Sequence, residues 1–111
     1  MESISAKELF SSKDPSLLVV DIRDEHHFRH GHIKGSINID IYNNIWHGNH
    51  ELARKKLSAL PKDKKLVIVC NVGATAKIAS SFLESMGYKA MVLEGGIIEW
   101  HNQHLQVHSG K

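Results

Sequence analysis

The chain has 111 residues, of which 41% are hydrophobic and 23% charged, with a formal net charge of +2. These values fit a single soluble globular domain with a modest core, and the charge is too small and too scattered for a nucleic-acid partner. One cysteine excludes an intrachain disulfide framework and a four-cysteine zinc site, while the weakly apolar N-terminus and the lack of any apolar run near about 20 residues argue against export and membrane insertion, so a cytoplasmic protein is expected.

Ser5 to Glu8 has the S-x-x-E spacing of a capping box, which predicts a short helix over 6–11. Leu17–Ile22 (LLVVDI) is a β-rich apolar run, hence a strand. Asp24–His30 is polar and reads as one or two helical turns. Gly31 and Gly35 bracket a turn, and Ser36–Asp40 alternates, with Ile37 and Ile39 on one face of a second strand. Residues 41–48 carry no pattern.

From Asn49 or His50 the spacing of Leu52, Leu57 and Leu60 predicts an amphipathic helix ending before Pro61. The nearby cluster Arg54, Lys55, Lys56, Lys62, Lys64 and Lys65 reads as a solvated helix face and the turn after it. Leu66–Val69 (LVIV) is apolar throughout, as a strand covered on both faces must be. Ala76–Met86 places Ala79, Phe82, Leu83 and Met86 on one stripe, and Gly87 suits the position after a helix end. Ala90–Leu93 is another buried strand, and Gly95-Gly96 leads into a last helix over 97–101. One domain over 1–104 is expected, with 105–111 a polar tail that frays.

Strands alternating with helices imply a parallel sheet with helices on both faces, whose ligands sit beyond the carboxyl ends of the strands. Cys70 stands at such an end, in the stretch CNVGATA. Asn71 to Thr75 are short residues between a strand and a helix, and Gly73 opens backbone angles closed to other residues. A tight loop of this kind turns successive N–H groups inward as an anion nest, and the following helix adds its unpaired N–H groups. Thiols at helix N-termini ionise more readily than free ones. Thr75 is the expected N-cap. The opposing reading is that Cys70 is a small buried hydrophobe.

Three stretches, in register, resemble the rhodanese family: DIRDEHHFRHGHIKGSINI (Asp21–Ile39), CNVGAT (Cys70–Thr75) and EGGIIEW (Glu94–Trp100). The resemblance covers almost the whole chain. It implies an α/β fold with a five-stranded, mostly parallel sheet flanked by helices on both faces. It implies a sulfurtransferase that moves a sulfane sulfur from a small-molecule donor to an external thiol or protein acceptor through a persulfide on Cys70. Asn71, Val72, Gly73, Ala74 and Thr75 would then bind the substrate, with no metal or organic cofactor, in a monomer or homodimer. The alternative within the same fold is a binding, regulatory or redox-sensing module without turnover.

The departures are informative. Many thiosulfate-using members have Arg or Lys where this chain has Asn71, and many have Arg where it has Thr75. The loop therefore lacks a side-chain cation, and weak affinity for thiosulfate is expected. His27 stands where the family often has Glu, which removes a customary partner of Arg23. The related phosphatase branch needs C-x5-R, but Ala76 occupies the arginine position and Lys77 follows it, so phosphate clamping is not expected. His26 and His30 have the i,i+4 spacing of two metal ligands, but no third ligand is fixed by the sequence, and no metal site is expected. Asp21 and Arg23, at a strand end close to where the active loop projects, read as a structural ion pair or loop brace, the alternative being direct substrate contact.

Overall fold

A computed structural model describes residues 2–110. Five strands, β1 (Ser3–Ile4), β2 (Leu17–Asp21), β3 (Ile37–Asn38), β4 (Lys65–Val69) and β5 (Lys89–Leu93), form one sheet in the order β1-β5-β4-β2-β3. All four strand pairings are parallel. Between them run α1 (Ala6–Ser11), α2 (Glu25–His30), α3 (Tyr42–Trp46), α4 (His50–Leu57) and α5 (Ala74–Ser85), and α6 (Gly96–Asn102) follows β5.

The continuous apolar run of β4 follows from burial on both faces. Leu66 and Ile68 point into one core with Val20, Ile45, Ala53, Leu57, Ala79 and Leu83, beneath α3, α4 and α5. Val67 and Val69 point into the other, with Leu9, Met91, Leu93, Ile97 and Trp100, beneath α1 and α6. Successive side chains alternate across the sheet, so no residue of Leu66–Val69 can be polar without facing a core, while Lys65 at the strand's start is half-buried and pairs with Glu2.

Local signals act where the sequence places them. The Ser5 hydroxyl accepts from the Glu8 N–H and the Glu8 carboxylate from the Ser5 N–H, both at 3.1 Å, closing the capping box of α1. Asp24 caps α2 by accepting from the His27 N–H at 2.9 Å. That hydrogen bond is the main cause holding the Asp24 carboxyl below its usual pKa. Residues 105–110 return towards α2: His32 and His108 exchange main-chain hydrogen bonds, and the Trp100 indole donates to the Gln106 carbonyl.

Five elements differ from the sequence reading by more than a residue at an end. β1 has two residues, too few to show a period, and α3 has five and no side-chain cap, so neither announces itself. β3 shrinks to Ile37–Asn38. The basic helix stops at Leu57, and Leu60 reaches the core from the turn beyond it while Leu52 faces outward. α5 starts at Ala74, two residues early, because Gly73 takes a φ of 110° and serves as its N-cap.

Ser80, on the buried face of α5, is 0% exposed, and its hydroxyl has no hydrogen-bond partner among the described residues. A buried, unsatisfied hydroxyl is destabilising, so Ser80→Ala is expected to raise unfolding stability by about 1 kcal/mol. Urea denaturation measures this, and an unchanged or lower midpoint would contradict it.

Candidate active site

Cys70 follows β4 directly and is 1% exposed. Its Sγ accepts hydrogen bonds from the N–H groups of Gly73 at 3.0 Å and Ala76 at 3.3 Å. The loop's carbonyls turn the other way. The Cys70 oxygen accepts from the Ile97 N–H at 2.9 Å and the Asn71 oxygen from the Ile98 N–H at 3.1 Å, both at the start of α6. In a trans peptide the N–H opposes the C=O, so this docking aims the Asn71 and Val72 N–H groups away from α6. Those two N–H groups, with those of Ala74 and Thr75, have no hydrogen-bond partner among the described residues. Six consecutive donors from Asn71 to Ala76 are thus either on the sulfur or free. This is the geometry of an anion nest joined to a helix N-terminus.

The close approach of α6 depends on Gly96. Its φ is 61°, and a Cβ there would lie 2.5 Å from the Cys70 carbonyl oxygen. The third motif of the sequence therefore supports the second through backbone contact.

Each of the expected loop residues lies in this cradle, with one correction. Thr75 is not the N-cap. It is the second residue of α5, and its hydroxyl accepts a 3.0 Å hydrogen bond from the indole N–H of Trp46. Trp46 lies in the patternless stretch 41–48, and nothing in the sequence points to it. Asn71 is half-buried and Val72 is exposed at the lip.

Asp21 and Arg23 form a buried ion pair at the carboxyl end of β2, the strand beside the one that leads to Cys70. Arg23 binds the Asp21 carboxylate through Nε and through Nη2, the latter at 2.7 Å, and Nη2 also reaches the Gly31 carbonyl. Both residues are buried. Asp21 is the register partner of Val69, the residue before the cysteine. Arg23 thus has its carboxylate partner in Asp21, and His27 contacts the N-cap Asp24. His26 and His30 pack ring against ring, 4.3 Å between centroids. Among the described residues no group of three or more His, Cys, Asp or Glu side chains is placed to hold a metal ion, and no helix is long and apolar enough to cross a membrane.

Comparison with known proteins places the chain among relatives of the same fold. The family model for the rhodanese-like domain matches residues 5–103. A thiosulfate sulfurtransferase GlpE of Shewanella oneidensis is 32% identical over 87 residues, covering 78% of this chain and 77% of its own. A sulfurtransferase of Allochromatium vinosum is 31% identical over 107 residues, covering 96% of this chain and 89% of its own. Among solved structures, a rhodanese-related protein from Thermoplasma volcanium superposes with a TM-score of 0.82 at 30% identity, covering 97% of this chain and 98% of that one.

Proposed function

The chain belongs to the rhodanese-like domain family, and from that premise we propose that it is a sulfurtransferase whose nucleophile is Cys70. The observation that carries this reading is the run of six main-chain donors from Asn71 to Ala76, two of them bonded to Sγ and four without a partner among the described residues.

The Cys70 thiolate attacks the outer, sulfane sulfur of the donor. A new S–S bond forms to Sγ as the donor's own S–S bond breaks, and its electron pair leaves with the rest of the donor: sulfite from thiosulfate, a thiolate from an organic persulfide. The product is a Cys70 persulfide anion. An external thiolate then attacks the terminal sulfur, takes it, and returns Cys70 as thiolate. Each step moves one sulfur and conserves charge, and no metal or organic cofactor takes part. The N–H groups that face Sγ oppose the negative charge in every state, as an oxyanion hole does.

Asn71 and Thr75 bring no cation, so a doubly charged donor such as thiosulfate is held by neutral N–H groups and binds weakly, while a singly charged organic persulfide loses less. Asn71→Arg places a guanidinium at the half-buried lip, and a charge-assisted contact there is expected to lower the thiosulfate KM about tenfold. Steady-state kinetics reads this directly, and an unchanged KM would remove the explanation. The sulfur-transfer reading as a whole is tested by intact-mass spectrometry after incubation with thiosulfate or an organic persulfide. A gain of one sulfur that cyanide removes supports it. An unaltered mass with every donor defeats it.

A further inference from the structure

We propose that Trp46 is a positioning residue for sulfur transfer: it holds the Thr75 hydroxyl so that its proton is presented to the sulfur anion in the Cys70 cradle. This rests on the sulfur-transfer reading above.

Three observations lead here. Trp46 closes α3 yet its side chain is 55% exposed, while the preceding Ile45 does the packing into the core. Core burial therefore does not account for the indole. Its N–H instead crosses from α3 to α5 and donates to Thr75 Oγ1 at 3.0 Å. Thr75 itself is only 4% exposed.

The donor inventory then decides where the hydroxyl proton goes. An indole N–H can only donate, so it occupies a lone pair of the Thr75 oxygen, and the hydroxyl keeps one proton to give. Among the described residues Thr75 Oγ1 donates to no acceptor. A buried donor without an acceptor is costly, and such groups are met where a ligand supplies the missing partner. Thr75 lies between Gly73 and Ala76, the two residues whose N–H groups bond Sγ. The acceptor that fits is the anionic sulfur of the donor or of the persulfide. In a loop without a cation, an oriented neutral O–H adds a side-chain donor to the main-chain N–H groups.

α3 is braced for this task. Lys56 Nζ donates to the Asp40 carbonyl at 3.0 Å and to Asn44 Oδ1 at 2.9 Å, tying α4 to the residue before the N-cap of α3 and to the middle of α3. The Tyr42 ring stands 6.3 Å from the Trp46 ring, one turn earlier on the same face. The indole is thus aimed from a fixed platform rather than from a mobile loop.

The test is a double-mutant cycle on single-turnover sulfur uptake, followed by quenched intact mass with thiosulfate as donor. Trp46→Phe keeps an aromatic ring and removes the N–H. It is expected to slow uptake about tenfold, part of the loss that follows removal of one transition-state donor. Thr75→Val removes the hydroxyl and is expected to slow uptake at least as much. Adding Trp46→Phe to Thr75→Val should then cost nothing further, because Trp46 acts through that hydroxyl. Thermal midpoints of all three variants should stay near that of the unmodified protein, which a merely structural role would not permit. Trp46→Phe at the unmodified rate overturns the proposal. So does a double variant slowed by the product of the single factors. If the unmodified protein gains no sulfur from thiosulfate or from an organic persulfide, the sulfur-transfer reading falls and this proposal with it.

Discussion

Cys70→Ser is expected to gain no sulfur mass with any donor and to lose at least about a thousandfold in turnover, the scale on which removal of a nucleophile is felt. The substitution changes one atom. Serine fits the space of a residue that is 1% exposed, and its oxygen can still accept from the Gly73 and Ala76 N–H groups. What is lost is the chemistry. A hydroxyl ionises far less readily than a thiol and forms no persulfide. The chain has no second cysteine to take over. Activity should therefore vanish while the unfolding midpoint moves little. Retention of a cyanide-labile sulfur in this variant would place the carrier elsewhere.

Gly96→Ala is expected to be the second large effect, and it acts on the same cradle from behind. The added Cβ would sit 2.5 Å from the Cys70 carbonyl oxygen and 2.6 Å from the Asn71 carbonyl carbon. Both are backbone atoms, so no side-chain rotation relieves the clash. α6 has to move back, and the hydrogen bonds from Ile97 and Ile98 to the loop carbonyls lengthen or break. With those lost, the Cys70–Asn71 and Asn71–Val72 peptide planes are free to turn, and their N–H groups leave the nest. A destabilisation of about 2–4 kcal/mol is expected, together with loss of persulfide formation in the fraction that folds. Gly35→Ala is the control. Gly35 has a φ of 82°, but a Cβ at that position would meet nothing within 4 Å. Only the conformational cost of about 1–2 kcal/mol remains there, with activity intact. Equal effects of the two substitutions, measured by denaturation and sulfur uptake, would show that the contact with the loop is unimportant.

The parts of the site that sequence reveals are those with a local chemical reason. LVIV has to be a doubly covered strand, and that places Cys70 at its carboxyl end. Ser5 and Glu8 satisfy each other within one turn, so their spacing alone announces α1. Gly73 marks a special backbone, yet how early α5 begins depends on its φ, which composition does not state. Trp46 is hidden for a different reason. α3 is five residues long, has no side-chain cap and is fixed by contacts with α4, so no period or capping residue betrays it. Its partner Thr75 lies far along the chain, and only the parallel sheet with its crossovers brings the two together. Gly96 is visible as part of a glycine pair, but its purpose is a backbone-to-backbone approach that no pattern of side chains encodes.

The two outermost strands of the sheet, β1 and β3, are each only two residues long. A sheet edge offers unpaired main-chain groups on which another chain can add as a new strand. Here β4, the most apolar strand, is paired along its length on both sides, and each border strand is a two-residue stub too short to template such growth. The fold thus carries its own protection against edge-to-edge aggregation, built from strand length and independent of the chemistry at Cys70.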